Sequence, residues 1–229
     1  MSPQDQLKQQ AAQAAVAQIT SGMVVGLGTG STAAFAVSAL AERIRQEGLQ
    51  VVGVPTSERT AQQATSLGIP LGTLAEYPVL DLAIDGADEI ALGSLDLVKG
   101  AGGALLREKL VEVSAKRLII VADESKKVKQ LGSKFAIPVE VVRFGWQSTQ
   151  RRVAELGCSP HLRLTPGGDP YLTDEQHYIL DCRFGPIAAP AALAAALKGI
   201  PGVVEHGLFI GMTSEAIIAT ATGIERLTP

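Results

Sequence analysis

Residues 81–109, DLAIDGADEIALGSLDLVKGAGGALLREK, hold side chains that folding alone would not require. A short apolar run, 82–84, leads to Asp85 and Asp88, which flank Gly86 and Ala87. A second, mostly apolar run at 95–98 precedes Lys99, Gly100, Ala101, Gly102 and Gly103. A helical pattern then carries Arg107, Glu108 and Lys109. Carboxylates, an ammonium and glycine-exposed amides at this density suit removal of a proton next to a carbonyl. That reaction needs a carboxylate base over the carbon, an acid near the oxygens, and a cation or amides to hold the enediolate charge. Glu108 is the candidate base and Asp85 the candidate acid. Lys99 with the adjacent amides of Gly100, Ala101, Gly102 and Gly103 is the candidate anion holder. Two close aspartates can push one carboxyl upward in pKa and keep a proton available. Taken singly, Glu108 and Lys109 also read as solvated helix residues, and Asp88 as a turn or cap residue. The group, not any one member, points to chemistry.

A second stretch suits an anion. The sequence GLGTGSTA, 26–33, joins an apolar run at 23–27 to a helical pattern at 31–46. Strand, glycine-rich turn and helix together aim backbone N–H groups and a helix dipole at one point. Thr29, Gly30, Ser31 and Thr32 would line that point, and a phosphate is the natural guest. The dinucleotide fingerprint is absent, because GxGxxG would need glycine at Ser31 and the next strand ends in Pro55-Thr56 with no acidic residue. No GK[ST] follows, so this is not a P-loop. A bare strand–helix turn without a ligand has the same pattern. Thr56, Ser57 and Thr60 read equally as ligand contacts and as helix caps.

These segments need elements to position them. Ser2-Pro3 predicts a capped helix running to about Ile19, with Lys8 off its apolar stripe as a solvated lysine. Strands are expected at 23–27, 49–54, 69–71, 80–84 and 117–122, alternating with helices. That alternation predicts an α/β fold with a Rossmann-like, mostly parallel, doubly wound sheet. Ligands of such sheets bind beyond the carboxyl ends of the strands. The turns at 28–32, 85–88, 99–103 and 123–126, the last ending in Lys126, all follow strands on that edge.

After Ser133 the pattern changes. Strands at 138–143, 161–165, 178–183 and 203–210, with helices at 147–156 and 188–198, spell βαββαβ, a smaller ferredoxin-like α+β domain. It shows no catalytic cluster. The apolar run 214–223 is expected to return to the large sheet. Residues 1–132 with 208–229 are therefore read as the catalytic domain and 133–207 as the smaller one.

Composition narrows the function. The chain has 229 residues, 46% hydrophobic and 19% charged, with net charge −3 and 4% aromatic residues. That combination argues against a nucleic-acid binder, which needs basic and stacking surfaces. No apolar run reaches membrane-spanning length and the polar start has no signal core, so a cytoplasmic enzyme is expected. Cys158 and Cys182 read as two isolated, reduced thiols. His161, His177 and His206 lack metal-ligand spacing.

In order, GLGTGSTA, AIDGADEI, KGAGGALLREK, VADESK, IPVEV and IPGVVEHGLF resemble ribose-5-phosphate isomerase of the A type over nearly the whole chain. The resemblance implies interconversion of ribose 5-phosphate and ribulose 5-phosphate, a pentose phosphate substrate, no metal or cofactor, and a homodimer or tetramer. It implies Glu108 as the base that moves the proton, Asp85 as the manager of hydroxyl protons, and Lys99 as the enediolate stabiliser. Substrate contacts would come from Thr29, Gly30, Ser31, Thr32, Asp85, Gly86, Ala87, Asp88, Lys99, Gly100, Ala101, Gly102 and Lys126. It also raises Lys8 from a surface residue to a phosphate contact. Ala101 and Leu106 depart from the relatives, in which glycine and threonine are usual there. A sugar-phosphate sensor without catalysis, or a transferase using Glu108 as nucleophile, would share the architecture.

Overall fold

The computed structural model describes residues 2–229 and begins with the cap expected at Ser2. Asp5 N donates to Ser2 Oγ at 3.1 Å and Ser2 N donates to the Asp5 carboxylate at 3.3 Å, closing a capping box. Helix α1 (Pro3–Val16) starts on proline, whose missing N–H would have had no helical partner. It is followed by β1 (Val24–Leu27), α2 (Ser31–Glu47), β2 (Val52–Pro55), α3 (Glu58–Ser66) and β3 (Leu82–Asp85). Then come β4 (Glu89–Ala91), β5 (Leu97–Val98), α4 (Leu105–Val113), β6 (Leu118–Asp123), a 3₁₀ turn (Glu124–Lys126) and β7 (Lys127–Val128). The chain continues through β8 (Ile137–Val141), α5 (Trp146–Ala154), β9 (Ser159–Leu162), β10 (Tyr178–Arg183) and α6 (Pro190–Lys198). It closes with β11 (Val203–His206), β12 (Leu208–Phe209), β13 (Glu215–Thr220) and β14 (Gly223–Leu227).

These elements form two units. The first comprises the chain up to Ala87, Arg107–Lys126 and Met212–Pro229. Its sheet runs β14-β13-β6-β3-β1-β2, parallel throughout except for the β13–β14 hairpin. Strand β6 is buried at every position, as an unbroken apolar run should be in a sheet covered on both faces. Val25 and Leu27 of β1 join the α1/α2 core with Ala11, Ala15, Val37 and Leu40. Gly26 points the other way, where an added Cβ would lie 2.7 Å from Val111 of α4. Helices thus cover both faces. The strand expected at 69–71 is reduced to a single bridge, Gly53 to Leu71, because Pro70 has no N–H for a ladder. The run 214–223 does return to the large sheet, but it stops at Thr220 and turns back as the unforeseen β14.

The second unit comprises Asp88–Leu106 and Lys127–Gly211. Its antiparallel sheet has the order β11-β8-β10-β9, the order of a ferredoxin-like βαββαβ unit. Val139, Val141, Leu180, Val153 and Leu197 pack between this sheet and its helices. A further sheet, β12-β5-β4-β7, was not foreseen. Its strands are too short to show a period-2 pattern. Through it, residues 88–106, 127–132 and 208–211 group with the smaller unit rather than with the large sheet. The strand expected at 203–210 is split at Gly207 between the two sheets of this unit. Gly207 N donates to Pro138 O at 2.7 Å and Lys99 N donates to Gly207 O at 2.9 Å. Cys158 and Cys182 are free thiols as expected, though not isolated, since both pack in this unit's core. Trp146 packs edge-on against Tyr178 at 6.2 Å.

A Cβ on Gly207 would fall 2.2 Å from the Lys99 carbonyl oxygen. Gly207→Ala is therefore expected to cost about 1–3 kcal/mol, the usual range for overpacking. Urea unfolding would measure the loss, and an unchanged midpoint would contradict it.

Candidate active site

Asp85 ends β3, and β1 beside it brings Leu27 into register with Ile84. The next residues, Gly28 and Asp85, are consequently neighbours. A Cβ on Gly28 would sit 2.2 Å from Asp85 Cγ, so the carboxylate occupies space that any other residue at 28 would fill. Asp85 Oδ1 accepts from Thr29 N at 3.0 Å and from Gly86 N at 2.6 Å. With its N–H engaged there, Thr29 turns its hydroxyl into a buried cluster. Thr29 Oγ1 lies 2.7 Å from Thr56 Oγ1, 2.7 Å from Ser57 Oγ and 3.1 Å from Thr60 Oγ1. Thr56 Oγ1 donates to Leu27 O and Thr60 Oγ1 to Gly28 O, at 3.1 and 2.9 Å. Ser57 also caps α3, accepting from Thr60 N at 3.1 Å. The three residues left open between ligand contact and capping thus tie down the glycine turn.

Gly30 is the N-cap of α2, with φ 121°, a conformation open to glycine, and no side chain caps the helix. The first-turn amides of α2, including those of Ser31 and Thr32, are therefore not taken by a capping side chain, and the positive end of the dipole lies there. Lys8 reaches this point, its Nζ donating to Ser31 Oγ at 3.0 Å. Spacing along α1 placed Lys8 in solvent; the packing of α1 against α2 places it against the first turn of α2. Gly86 lies close by, its Cβ position 3.8 Å from Thr32 Cβ. Ala87 follows directly as the last residue of this segment in the first unit. Glu108 lies in the first turn of α4 and is buried.

Asp123 ends β6 and begins the turn that carries Lys126. Its Oδ1 accepts from Ser125 N at 3.0 Å and its Oδ2 from Gln4 Nε2 at 3.3 Å. Burial pulls this carboxyl upward in pKa. The Ser125 and Gln4 hydrogen bonds and the Lys126 charge outweigh it and hold the pKa below the ordinary range.

In the second unit, Asp88 is neither a helix cap nor a bare turn residue. Its Oδ2 accepts from Ala101 N at 2.9 Å, and its N–H donates to Val98 O at 2.8 Å, binding it to the loop after Lys99. Gly100 and Gly103 have φ of 101° and 84°, which side-chain-bearing residues rarely adopt, and Gly103 N closes the turn on Gly100 O at 3.0 Å. Lys99 is buried with its ammonium 5.5 Å from the centre of the Phe209 ring. Arg163 also meets this loop, donating from Nη1 to Gly100 O at 3.0 Å and Ala101 O at 3.2 Å. No motif signals Arg163, which lies more than sixty residues from the loop. His177 Nδ1 lies 3.0 Å from the buried Glu140 carboxylate. Among the described residues, no group of three or more His, Cys, Asp or Glu is placed to hold a metal ion. Among them, too, no helix is long and apolar enough to cross a membrane.

The depressed Asp123 pKa makes a pH prediction. A group whose folded pKa is lowered stabilises the fold above its unfolded value and loses that contribution as pH falls through the folded one. Asp123→Asn should be less stable than the parent at pH 7 by about 1–2 kcal/mol. The gap should close as pH falls below about 4. Urea midpoints across this range would test it, and a gap independent of pH would contradict it.

Sequence and structure comparisons place the fold among known proteins. The profile of ribose 5-phosphate isomerase A (phosphoriboisomerase A) matches residues 52–223. A ribose-5-phosphate isomerase A from Synechococcus sp. (strain JA-3-3Ab) is 72% identical over 227 residues, covering 99% of both chains. That of Gloeobacter violaceus is 63% identical, covering 98% of this chain and 97% of the relative. Among solved structures, ribose 5-phosphate isomerase A from Methanocaldococcus jannaschii superposes with a TM-score of 0.95 at 41% identity, covering 98% of this chain and 99% of that one. A D-ribose-5-phosphate isomerase in complex with phospho-erythronic acid gives 0.96 at 34% identity, with both chains fully covered. A profile match over most of the chain and relatives 72 and 63% identical along nearly its whole length show that this chain belongs to the ribose 5-phosphate isomerase A family.

Proposed function

We propose that this chain interconverts D-ribose 5-phosphate and D-ribulose 5-phosphate through an enediolate. The observation that carries this is the match to ribose-5-phosphate isomerases A, 72 and 63% identical over nearly the whole chain, with Asp85, Lys99 and Glu108 buried at 1, 2 and 3% exposure. Removing such groups from water costs several kcal/mol each before any pairing.

The phosphate rests on the first-turn amides of α2, with Gly30, Ser31 and Thr32 around it and the ammoniums of Lys8 and Lys126 balancing its charge. Thr29 keeps the turn in shape through its hydroxyl cluster. The Glu108 carboxylate removes the proton from C2 of the open-chain aldose. The C–H electron pair becomes the C1–C2 double bond, and the carbonyl pair moves onto O1. Lys99 and the loop of Gly100, Ala101 and Gly102 hold that negative charge. Asp85, with Gly86, Ala87 and Asp88 around the sugar hydroxyls, moves a proton from the 2-hydroxyl to O1. As the carbonyl forms at C2, Glu108 returns its proton to C1, giving the ketose. General acid–base catalysis of this kind contributes about 10²–10⁴-fold.

The same proposal makes the protein a cytoplasmic homodimer, with a tetramer as the alternative. Leu110 and Val113, one turn apart on α4, and Val79 are exposed apolar side chains in the first unit, as a subunit contact would require. Light scattering should give about twice the 23.8 kDa chain mass, and a monomer would refute the assembly.

Glu108→Gln should still bind ribose 5-phosphate while kcat falls by about 10²–10⁴-fold. Turnover near that of the parent would remove Glu108 from its role. Binding without any ketose product, in the parent treated with chelator, would instead favour a sensor. Lys8→Gln should raise KM by about tenfold, the loss of one charge-assisted hydrogen bond, with a smaller change in kcat. An unchanged KM would leave the phosphate to the amides alone.

A further inference from the structure

The smaller sheet reaches the loop that follows Lys99. Arg163 continues the line of β9, its N–H donating to Ile179 O at 2.8 Å. Its guanidinium, mostly buried, grips Asp181 with two parallel bonds, Nε to Oδ2 at 2.9 Å and Nη2 to Oδ1 at 2.5 Å. This fork holds the plane of the guanidinium fixed. The remaining nitrogen, Nη1, donates to Gly100 O and Ala101 O. Tyr171, whose N–H donates to Arg163 O at 2.9 Å, lies with its ring 5.9 Å from the guanidinium. The Tyr171 hydroxyl occupies the place where a Cβ on Gly103 would be, 2.2 Å away. One ion pair and one aromatic ring therefore set the shape of the loop from below.

The consequence follows from peptide geometry. In a trans peptide the C=O and the following N–H point in opposite directions. Drawing the Gly100 and Ala101 carbonyls to one nitrogen turns the N–H groups of Ala101 and Gly102 away from Arg163. The Ala101 N–H is held by Asp88 Oδ2 at 2.9 Å. The Gly102 N–H meets no acceptor among the described residues.

We propose that Arg163, anchored by Asp181, is a positioning residue that aims the Gly102 N–H at the oxygen on which enediolate charge develops. This rests on the isomerase function proposed above and adds to it a role for the smaller unit. An N–H fixed in advance stabilises charge without reorganising, and its loss affects the transition state more than the bound substrate. Arg163 itself touches neither substrate nor reacting atoms in this scheme.

The test uses the full chain and four variants: Arg163→Gln, Asp181→Asn, Glu108→Gln and, as a control on the exposed face of β10, Arg183→Gln. Turnover of ribose 5-phosphate gives kcat and KM. Inhibition by phospho-erythronic acid, an anion at the reacting end, reports the anion site, and inhibition by inorganic phosphate reports the phosphate site. Arg163→Gln is expected to lower kcat and weaken phospho-erythronic acid inhibition by roughly tenfold to a hundredfold, with KM and phosphate inhibition within about twofold. Asp181→Asn should move the same two quantities in the same direction by less, and serves if Arg163→Gln fails to fold by circular dichroism. Arg183→Gln should match the parent. The proposal is overturned if folded Arg163→Gln and Asp181→Asn keep parental kcat, or if KM and phosphate inhibition worsen as much as kcat. A parent with no turnover would overturn the isomerase function as well. An active parent, an impaired Glu108→Gln and an unaffected Arg163→Gln would overturn the positioning role alone.

Discussion

The close approach of β1 and β3 at their carboxyl ends governs the first unit. Parallel pairing sets Gly28 beside Asp85, and only the absence of a side chain at 28 leaves room for the carboxylate. Once there, Asp85 accepts from Thr29 N and Gly86 N, which fixes the course of both turns. The Thr29 hydroxyl is then directed into the Thr56, Ser57 and Thr60 cluster, and the amides beyond it open onto the start of α2. The turn at the start of α2 and the position of the Asp85 carboxylate are thus consequences of a single steric allowance. They could not be moved independently.

The second unit repeats the device with different parts. Gly207 lets backbone pass against the Lys99 carbonyl, and Gly103 lets the loop settle on Tyr171. Both contacts leave no room for a methyl group. The Lys99 loop is met by Asp88, just before β4, and by Arg163, just after β9. A glycine-rich loop is intrinsically loose, because glycine loses the most conformational freedom on ordering. Here the ordering comes from charge-assisted bonds to its carbonyls and amides, which are stronger than neutral ones. A flexible segment of sequence becomes a fixed array of donors.

Much of this was written in local pattern. The capped start at Ser2, the strand–turn–helix around Gly30, the buried β6 and the βαββαβ order of the smaller unit all follow from periodicities of two to four residues and from turn chemistry. So did the candidacy of Asp85, Lys99 and Glu108, since ionisable residues beside glycine turns stand out in a short window. The strands β4, β5 and β7 did not, because two or three residues are too few for a period. Pro70 removed a strand that hydrophobicity alone suggested.

The amino-acid sequence by itself determined which residue types follow each strand, and with them the chemistry available at the carboxyl edge. Tertiary structure decided which of them meet. Lys8 lies off the apolar stripe of α1 and meets Ser31 only when α1 packs on α2. Arg163 occupies an ordinary position after β9 until antiparallel pairing sets it beside Asp181 and the Lys99 loop. Helical and strand periods encode neighbours a few residues apart. Contacts between residues far apart in sequence depend on how sheets and helices pack, and that packing belongs to the whole chain.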